Sequence, residues 1–284
     1  MSDNKQIYES VITQMQIIQH KKGEISQDTL GRTLAYNNLL PRLSDMDYLY
    51  KNFRYTQDLV TRKGLIVELD NLIRFMQYAK IQDNTELEQE IACVFIDDSK
   101  SNQKECLMDY ISILRRFLPV FVGYNGILID TYQILEIAIA GADMCVLNCV
   151  FLRAYAEILL YIQDYNANDS VDIENVMTHI CAIRDNVKQI KQYRRILHTI
   201  FNTLVAYMTN LGVTPIFYPN HIDDLKMLLQ LKTPIDCVLV HPDLIALLPN
   251  SYIIFSNKND IPLHKTLLNP QQYYGIDMVL EHVT

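Results

Sequence analysis

The stretch that decides the fold is "LIDTYQILEIAIAGADMCVL", Leu128–Leu147. A short apolar run ends at Asp130, helical spacing follows through Ala140, and Gly141-Ala142-Asp143 leads into a second apolar run. Working outward, the same order recurs. Helix-like segments lead into "EIACVFID" at Glu90, "PIDCVLVH" at Pro234 and "GIDMVLEH" at Gly275, beside "GADMCVLN" at Gly141. Further apolar runs are "GLIVELD" at Gly64, "LPVFVGY" at Leu118, "VTPIFYP" at Val213 and "SYIIFSN" at Ser251. Short runs that are apolar throughout and alternate with helices read as strands covered on both faces, hence a parallel sheet. Their irregular spacing excludes a solenoid.

The runs count to about eight, the number a (β/α)8 TIM barrel requires. The expected strands are 64–69, 91–96, 118–123, 143–148, 213–218, 236–240, 251–256 and 276–280. Helices such as "CLMDYISILRRF", "TYQILEIAIA" and "HIDDLKMLLQL" fill the gaps. Residues 1 to about 60 are expected to form an N-terminal helical extension, from the apolar spacing of "IYESVITQMQII", and 61–284 the barrel. Far more chain separates the fourth and fifth strands than one crossover helix needs. A helical insertion is therefore expected over about 160–210, with "DYNANDSVD" (Asp164–Asp172) as a polar loop and a long helix through about Asn210. The chain stops almost at the end of the eighth strand, which reads as a truncated C-terminus lacking a covering helix.

Composition narrows the function classes. A chain of 284 residues with 49 % hydrophobic and 20 % charged residues has the material for one large core. Its net charge of −8 disfavours a nucleic-acid partner. The most basic segment, "KQIKQYRRILH" (Lys188–His198), reads as a solvated helix face, with a phosphate or partner site as the competing reading. No run is long enough for a membrane span and the N-terminus has no secretory pattern, so a cytoplasmic protein without membrane insertion is expected. The six cysteines (Cys93, Cys106, Cys145, Cys149, Cys181 and Cys237) include no Cys-x-x-Cys pair, so free thiols are expected and no structural zinc. With eight glycines and no Gly-x-Gly-x-x-Gly or Walker sequence, no nucleotide cofactor is expected.

The segment "LPVFVGYNGILIDTYQILEIAIAGADMCVL" resembles the third βα unit of indole-3-glycerol phosphate synthases, where the pattern reads roughly PVLRKDFIID-x-YQI-x-EA-x-x-x-GADA-x-LL. "IACVFIDDSKSNQKECLMDYISILRRFLPV" is similar to that family's second unit, "LIVELD" to its first strand, "LGVTPIFYPNHIDDL" to its fifth unit and "GIDMVLEHVT" to its last strand. The resemblance spans residues 60–284 apart from the insertion. It implies a barrel whose ancestral reaction is indole-ring closure on a carboxyphenylamino-deoxyribulose phosphate in tryptophan biosynthesis, a metal-free carboxy-lyase step.

The resemblance also locates what that chemistry would need. The family's acid lysine falls at Asn125, and the lysine two places past the first-strand glutamate falls at Asp70, although the glutamate itself is matched by Glu68. The fifth-strand glutamate falls at Tyr218 and the seventh-strand glutamate at Phe255, with Ser256 matching the next serine and Asn257 standing for its glycine. The eighth-strand glycine falls at His282, "NLIRFMQ" lacks the serine-rich phosphate segment, and "VLVHPDL" replaces the sixth-strand asparagine region.

A well-placed general acid is worth about a hundredfold to ten-thousandfold, so these losses should abolish the reaction. The expected function is a pseudoenzyme, a non-catalytic binding or assembly protein with a protein partner or self-association, and a small-molecule ligand as a further possibility. The competing readings are an active lyase or a barrel enzyme with a new substrate. No catalytic residue, cofactor or metal is expected. Candidate pocket residues at the strand C-termini are Glu68, Asp70, Asp97, Asn125, His241, Ser256 and His282. His241 and His282 with Asp97 or Glu281 could form a metal or acid–base group, against the reading that they solvate a loop rim.

Overall fold

The computed structural model describes residues 2–42, 62–81, 91–98, 107–165, 172–183, 186–230, 235–249, 251–261 and 275–283. Eight parallel strands close into a barrel in chain order: β1 Arg62–Glu68, β2 Ile91–Asp97, β3 Phe121–Asn125, β4 Met144–Asn148, β5 Thr214–Tyr218, β6 Cys237–Leu239, β7 Ile253–Asn257 and β8 Met278–Val283. The expected strands are all present, with ends displaced by at most three residues. Following the register once round from Glu68, through Asp97, Asn125, Val146, Ile216 and Cys237, returns to β1 about eight residues lower, the stagger of a TIM barrel.

That stagger stacks the inward side chains in layers of four from alternate strands. The lowest complete layer holds four sulfurs: Cys93, Met144, Cys237 and Met278. Above it lie Gly64, Gly123, Ile216 and Phe255, then Phe95, Val146, Leu239 and Leu280. The two glycines leave room for larger neighbours. A Cβ at Gly123 would enter the Phe95 ring, and one at Gly64 would lie 2.7 Å from the Cys93 sulfur. The freed space lets Phe95 and Phe255 meet edge to face, with centroids 6.4 Å apart. Cys93, Cys145, Cys149 and Cys237 are buried free thiols, and burial pushes each of them up.

The helices are α1 Ser2–Glu24, α2 Gln27–Leu34, α3 Leu72–Ile81, α4 Leu107–Phe117, α5 Thr131–Ala140, α6 Cys149–Tyr165, α7 Ile173–Ile183, α8 Val187–Asn210 and α9 Ile222–Leu228. The opening stretch forms β3's exit, α5 and β4. Asp130 caps α5 by accepting from the Tyr132 N–H at 2.8 Å. Gly141 ends it at φ 96°, a left-handed conformation that favours glycine. Helix α5 is apolar on nearly every face because it is covered twice. The barrel lies beneath it, and α1 and α2 lie over it. Its one buried polar residue, Gln133, is satisfied: it accepts from the Ile129 N–H at 2.9 Å and donates to the Ile127 carbonyl at 2.7 Å.

The N-terminal extension therefore runs down the outside of α5. Lys22 binds Asp130, Lys21 binds Glu136, Gln27 donates to Thr131, and Asn37 donates to the Ile139 carbonyl. Its described part reaches the underside of the barrel, where the Arg42 guanidinium lies 2.7 Å from Asp143 and over the Phe121 ring. The part of the expected extension at 43–60 lies outside the described residues.

The segment between β4 and β5 is helical, as expected, but its long helix is two. Asn186 starts α8 afresh by accepting from the N–H groups of Lys188 and Gln189. Helices α6, α7 and α8 pack together with α1, and Leu197, Phe201, Leu204, Val205 and Met208 seat α8 against the barrel. His179 of α7 is buried between the rings of Tyr161 and Tyr165, with Nε2 3.2 Å from Asp164.

The aspartates of the recurring sequence pattern lie at the N-terminal end of the barrel. Asp143, fully buried, accepts from the Val122 N–H at 2.9 Å, and Asp277 accepts from the Ile254 N–H at 2.8 Å. Their own backbones repeat the correspondence. The carbonyls of Asp143 and Asp277 accept from Thr214 and Arg62, so β3-β4-β5 and β7-β8-β1 are stapled alike.

Candidate functional site

Alternation along each strand decides which polar residues line the C-terminal mouth. Above the apolar layers comes a mixed one, Ile66, Asn125, Tyr218 and Asn257. Above that, Asp97, Asn148 and His282 occupy the inward positions of β2, β4 and β8, and His241 continues the alternation of β6. Glu68 tops β1, in register with Asp97, which in turn faces Asn125 across β3. The inward ring thus offers two carboxylates, three carboxamides, a phenol and two imidazoles. None of the eight positions carries lysine or arginine.

The partners of these groups show how each is held. Asn148 accepts from the Asn220 carboxamide at 3.2 Å and from the Val150 N–H at 3.0 Å, so it is oriented by the β5 exit and by the start of α6. Asn257 donates to Asp260 at 3.3 Å, and its buried Oδ1 has no hydrogen-bond partner among the described residues. His241 is half exposed, and its Nδ1 accepts from the Asp243 N–H at 3.3 Å, which ties the ring back over its own turn. Burial holds the Tyr218 phenol above its ordinary value, with Asp260 adding to the shift. Beside the ring, the buried Tyr124 hydroxyl donates to Asp98 at 2.9 Å. Burial raises that phenol, and Asp98 raises it further. Gly126 passes so close to this pair that a Cβ there would collide with both.

Of the residues expected from sequence, Glu68, Asp97, Asn125, His241 and His282 sit at inward mouth positions. Asp70 does not: it lies exposed in a 3-10 turn after β1. Ser256 is corrected too. It alternates with the inward Phe255, so it faces the helix layer, where it is fully buried and its Oγ is unpartnered among the described residues. Lys258, the cation nearest in sequence to the β7 exit, is ion-paired with Glu281 at 2.5 Å. Asn148, Tyr218 and Asn257 complete the ring; their strands are apolar throughout, so only the register of the closed sheet shows that they face inward.

The arrangement can hydrogen-bond a neutral or cationic small molecule over an apolar floor. The eight inward positions carry no ammonium to protonate a leaving group or to neutralise a phosphate. Among the described residues, no group of three or more His, Cys, Asp or Glu side chains is placed to hold a metal ion. No helix of the described residues is long and apolar enough to cross a membrane.

No family model matches the chain. Among solved structures, the chain is similar to the crystal structure of a protein described as a fructose-1,6-biphosphate aldolase from Coccidioides immitis. The two share 11 % identity at a TM-score of 0.48, over 85 % of this chain and 81 % of that one.

Proposed function

We propose that this chain is a divergent barrel of the indole-3-glycerol phosphate synthase type that serves binding or assembly rather than ring closure. The observation that carries the reading is the identity of the mouth residues. Where the resemblance calls for an acid lysine there is Asn125, and where it calls for phosphate-approaching glycines there are the side chains of Asn257 and His282. An amide cannot deliver the proton of an ammonium, and side chains at the glycine positions keep backbone N–H groups from reaching a phosphate. The doubly covered α5 and the helical layer α6–α8 enlarge the outer surface available to a partner.

A second reading, a barrel enzyme with a new substrate, draws on Asp97 and His282 sharing one layer of the mouth, since a carboxylate and an imidazole can move protons together. Two measurements test the binding reading. Expression in a tryptophan auxotroph lacking ring closure should give no growth, and light scattering should show self-association or a stable complex. Growth of the auxotroph would sink the binding reading in favour of the active lyase, and a strictly monomeric, partnerless protein would count against it.

A further inference from the structure

Helix α8 runs against the overall charge of the chain. The protein carries net charge −8, yet the 24 residues of α8 include no aspartate or glutamate. Lys188, Lys191, Arg194 and Arg195 are all exposed, and at 3.6 residues per turn they share one outward face over about 10 Å of helix. None of the four is in an ion pair among the described residues. Asp223, which feels the charge of Arg194, is already held by Lys226 at 2.8 Å. Asp164, the acid beside the start of α8, accepts from Gln189 at 3.2 Å and faces the buried His179.

The placement also works against the helix itself. Lys188, in the first turn, sits at the positive end of the helix dipole, where a carboxylate would stabilise and a lysine does not. A local rule broken with no compensating ion pair among the described residues marks a surface kept for something outside the fold. Two exposed apolar side chains adjoin it. Tyr165 ends α6 and Val187 begins α8, 62 % and 68 % exposed, and Gln189–Asp164 and Gln192–Gln163 hydrogen bonds hold these helix ends together.

We infer that the outward face of α8 is a docking surface for an acidic segment of a protein partner, with apolar residues of that segment meeting Tyr165 and Val187. Charge complementarity selects this occupant. A patch of two helical turns on an otherwise acidic protein matches a short acidic segment, whereas a nucleic acid or an anionic membrane would extend past it onto surface of its own sign. The inference rests on the binding reading above and assigns its contact face.

The test uses the full chain and fluorescence anisotropy with a labelled 20-residue peptide of glutamate and leucine. Binding should weaken at least tenfold between about 50 and 300 mM salt, as surface charges are screened. It should also weaken at least tenfold in K188Q/K191Q/R194Q/R195Q, with an unchanged circular dichroism spectrum and thermal midpoint. The control R62Q/K63Q, which removes exposed cations at the opposite end of β1, should bind as the parent does. Equal affinity of the quadruple variant and the parent would overturn the inference, as would tighter binding of a DNA duplex or of phosphatidylserine vesicles than of the peptide. Ring-closure activity is scored separately: turnover with intact peptide binding would remove the pseudoenzyme reading and leave the α8 face standing.

Discussion

The two ends of this barrel use polar residues in opposite ways. At the N-terminal end Asp143 and Asp277 are buried and bound to backbone N–H groups, and Arg42 closes the opening over Phe121. At the mouth the polar ring is half-buried or exposed, and Asn257 and His241 are bound to their own turns while Asn148 is shared between its own turn and Asn220. Removing a group from the first end leaves buried partners stranded, while water can replace much of what is lost at the second. The Gly-Ala-Asp of the opening stretch is therefore structural machinery, and chemistry or recognition at the other end can change without unmaking the fold.

The sharpest way to break this contrast is to compare Asp143→Asn with Asp97→Asn. The first strands Arg42 and also Arg115, whose Nε lies 3.9 Å from Asp143, against a neutral amide and weakens the Val122 bond, and loss of one partner of a buried ion pair costs about 3–5 kcal/mol. The second, at a half-buried position that water reaches, should cost less, about 1 kcal/mol. Urea unfolding of both variants measures the difference, and equal losses would end the distinction.

A smaller effect tests the lumen between the ends. Gly123→Ala drives a methyl into the Phe95 ring and should destabilise by about 1–3 kcal/mol, with Phe95→Leu restoring part of it. If Gly123→Ala were neutral by denaturation, the layer stacking proposed for the barrel would be wrong.

Alkali probes the outer helical layer. Burial, with Asp130 adding, raises Tyr155 to about 12. A phenol raised in the fold contributes stability that is fully present below its unfolded value near pH 10 and is lost as pH rises through about 12. Stability measured from pH 9 to 12 should therefore fall, and fall less steeply in Tyr155→Phe. An unchanged slope would show that this phenol ionises as freely in the fold as out of it. The smallest effect is expected at the seam of the N-terminal extension. Lys21→Ala breaks a half-exposed ion pair with Glu136 and should cost about 0.2–1 kcal/mol by thermal unfolding.

Much of this was legible in the sequence because burial writes itself into local pattern. Strands covered on both faces show as short apolar runs, and the α5 unit is marked by Asp130 before it and Gly141 after it. What stayed hidden depends on facts no local pattern holds. Whether Ser256 or Phe255 faces the lumen is a matter of register around the closed sheet, a one-residue choice that exchanges the two faces. The break before α8 lies in a cap at Asn186 inside a segment of otherwise continuous helical pattern. The path of the extension down α5 is set by separate contacts such as Lys22–Asp130 and Arg42–Asp143, each between residues about a hundred positions apart. At the mouth, the types of the candidate residues were readable, but their grouping into layers of four needed the barrel's stagger.

The measurement that tests the central claim most directly is a single-turnover assay of indole-ring closure. Purified full chain in excess over the carboxyphenylamino-deoxyribulose phosphate would be followed by indole fluorescence, beside the same protein carrying Asp97→Asn. The account predicts that both proteins give only the uncatalysed rate. Ring closure by the parent that Asp97→Asn abolishes would contradict it, and would make the mouth a working active site.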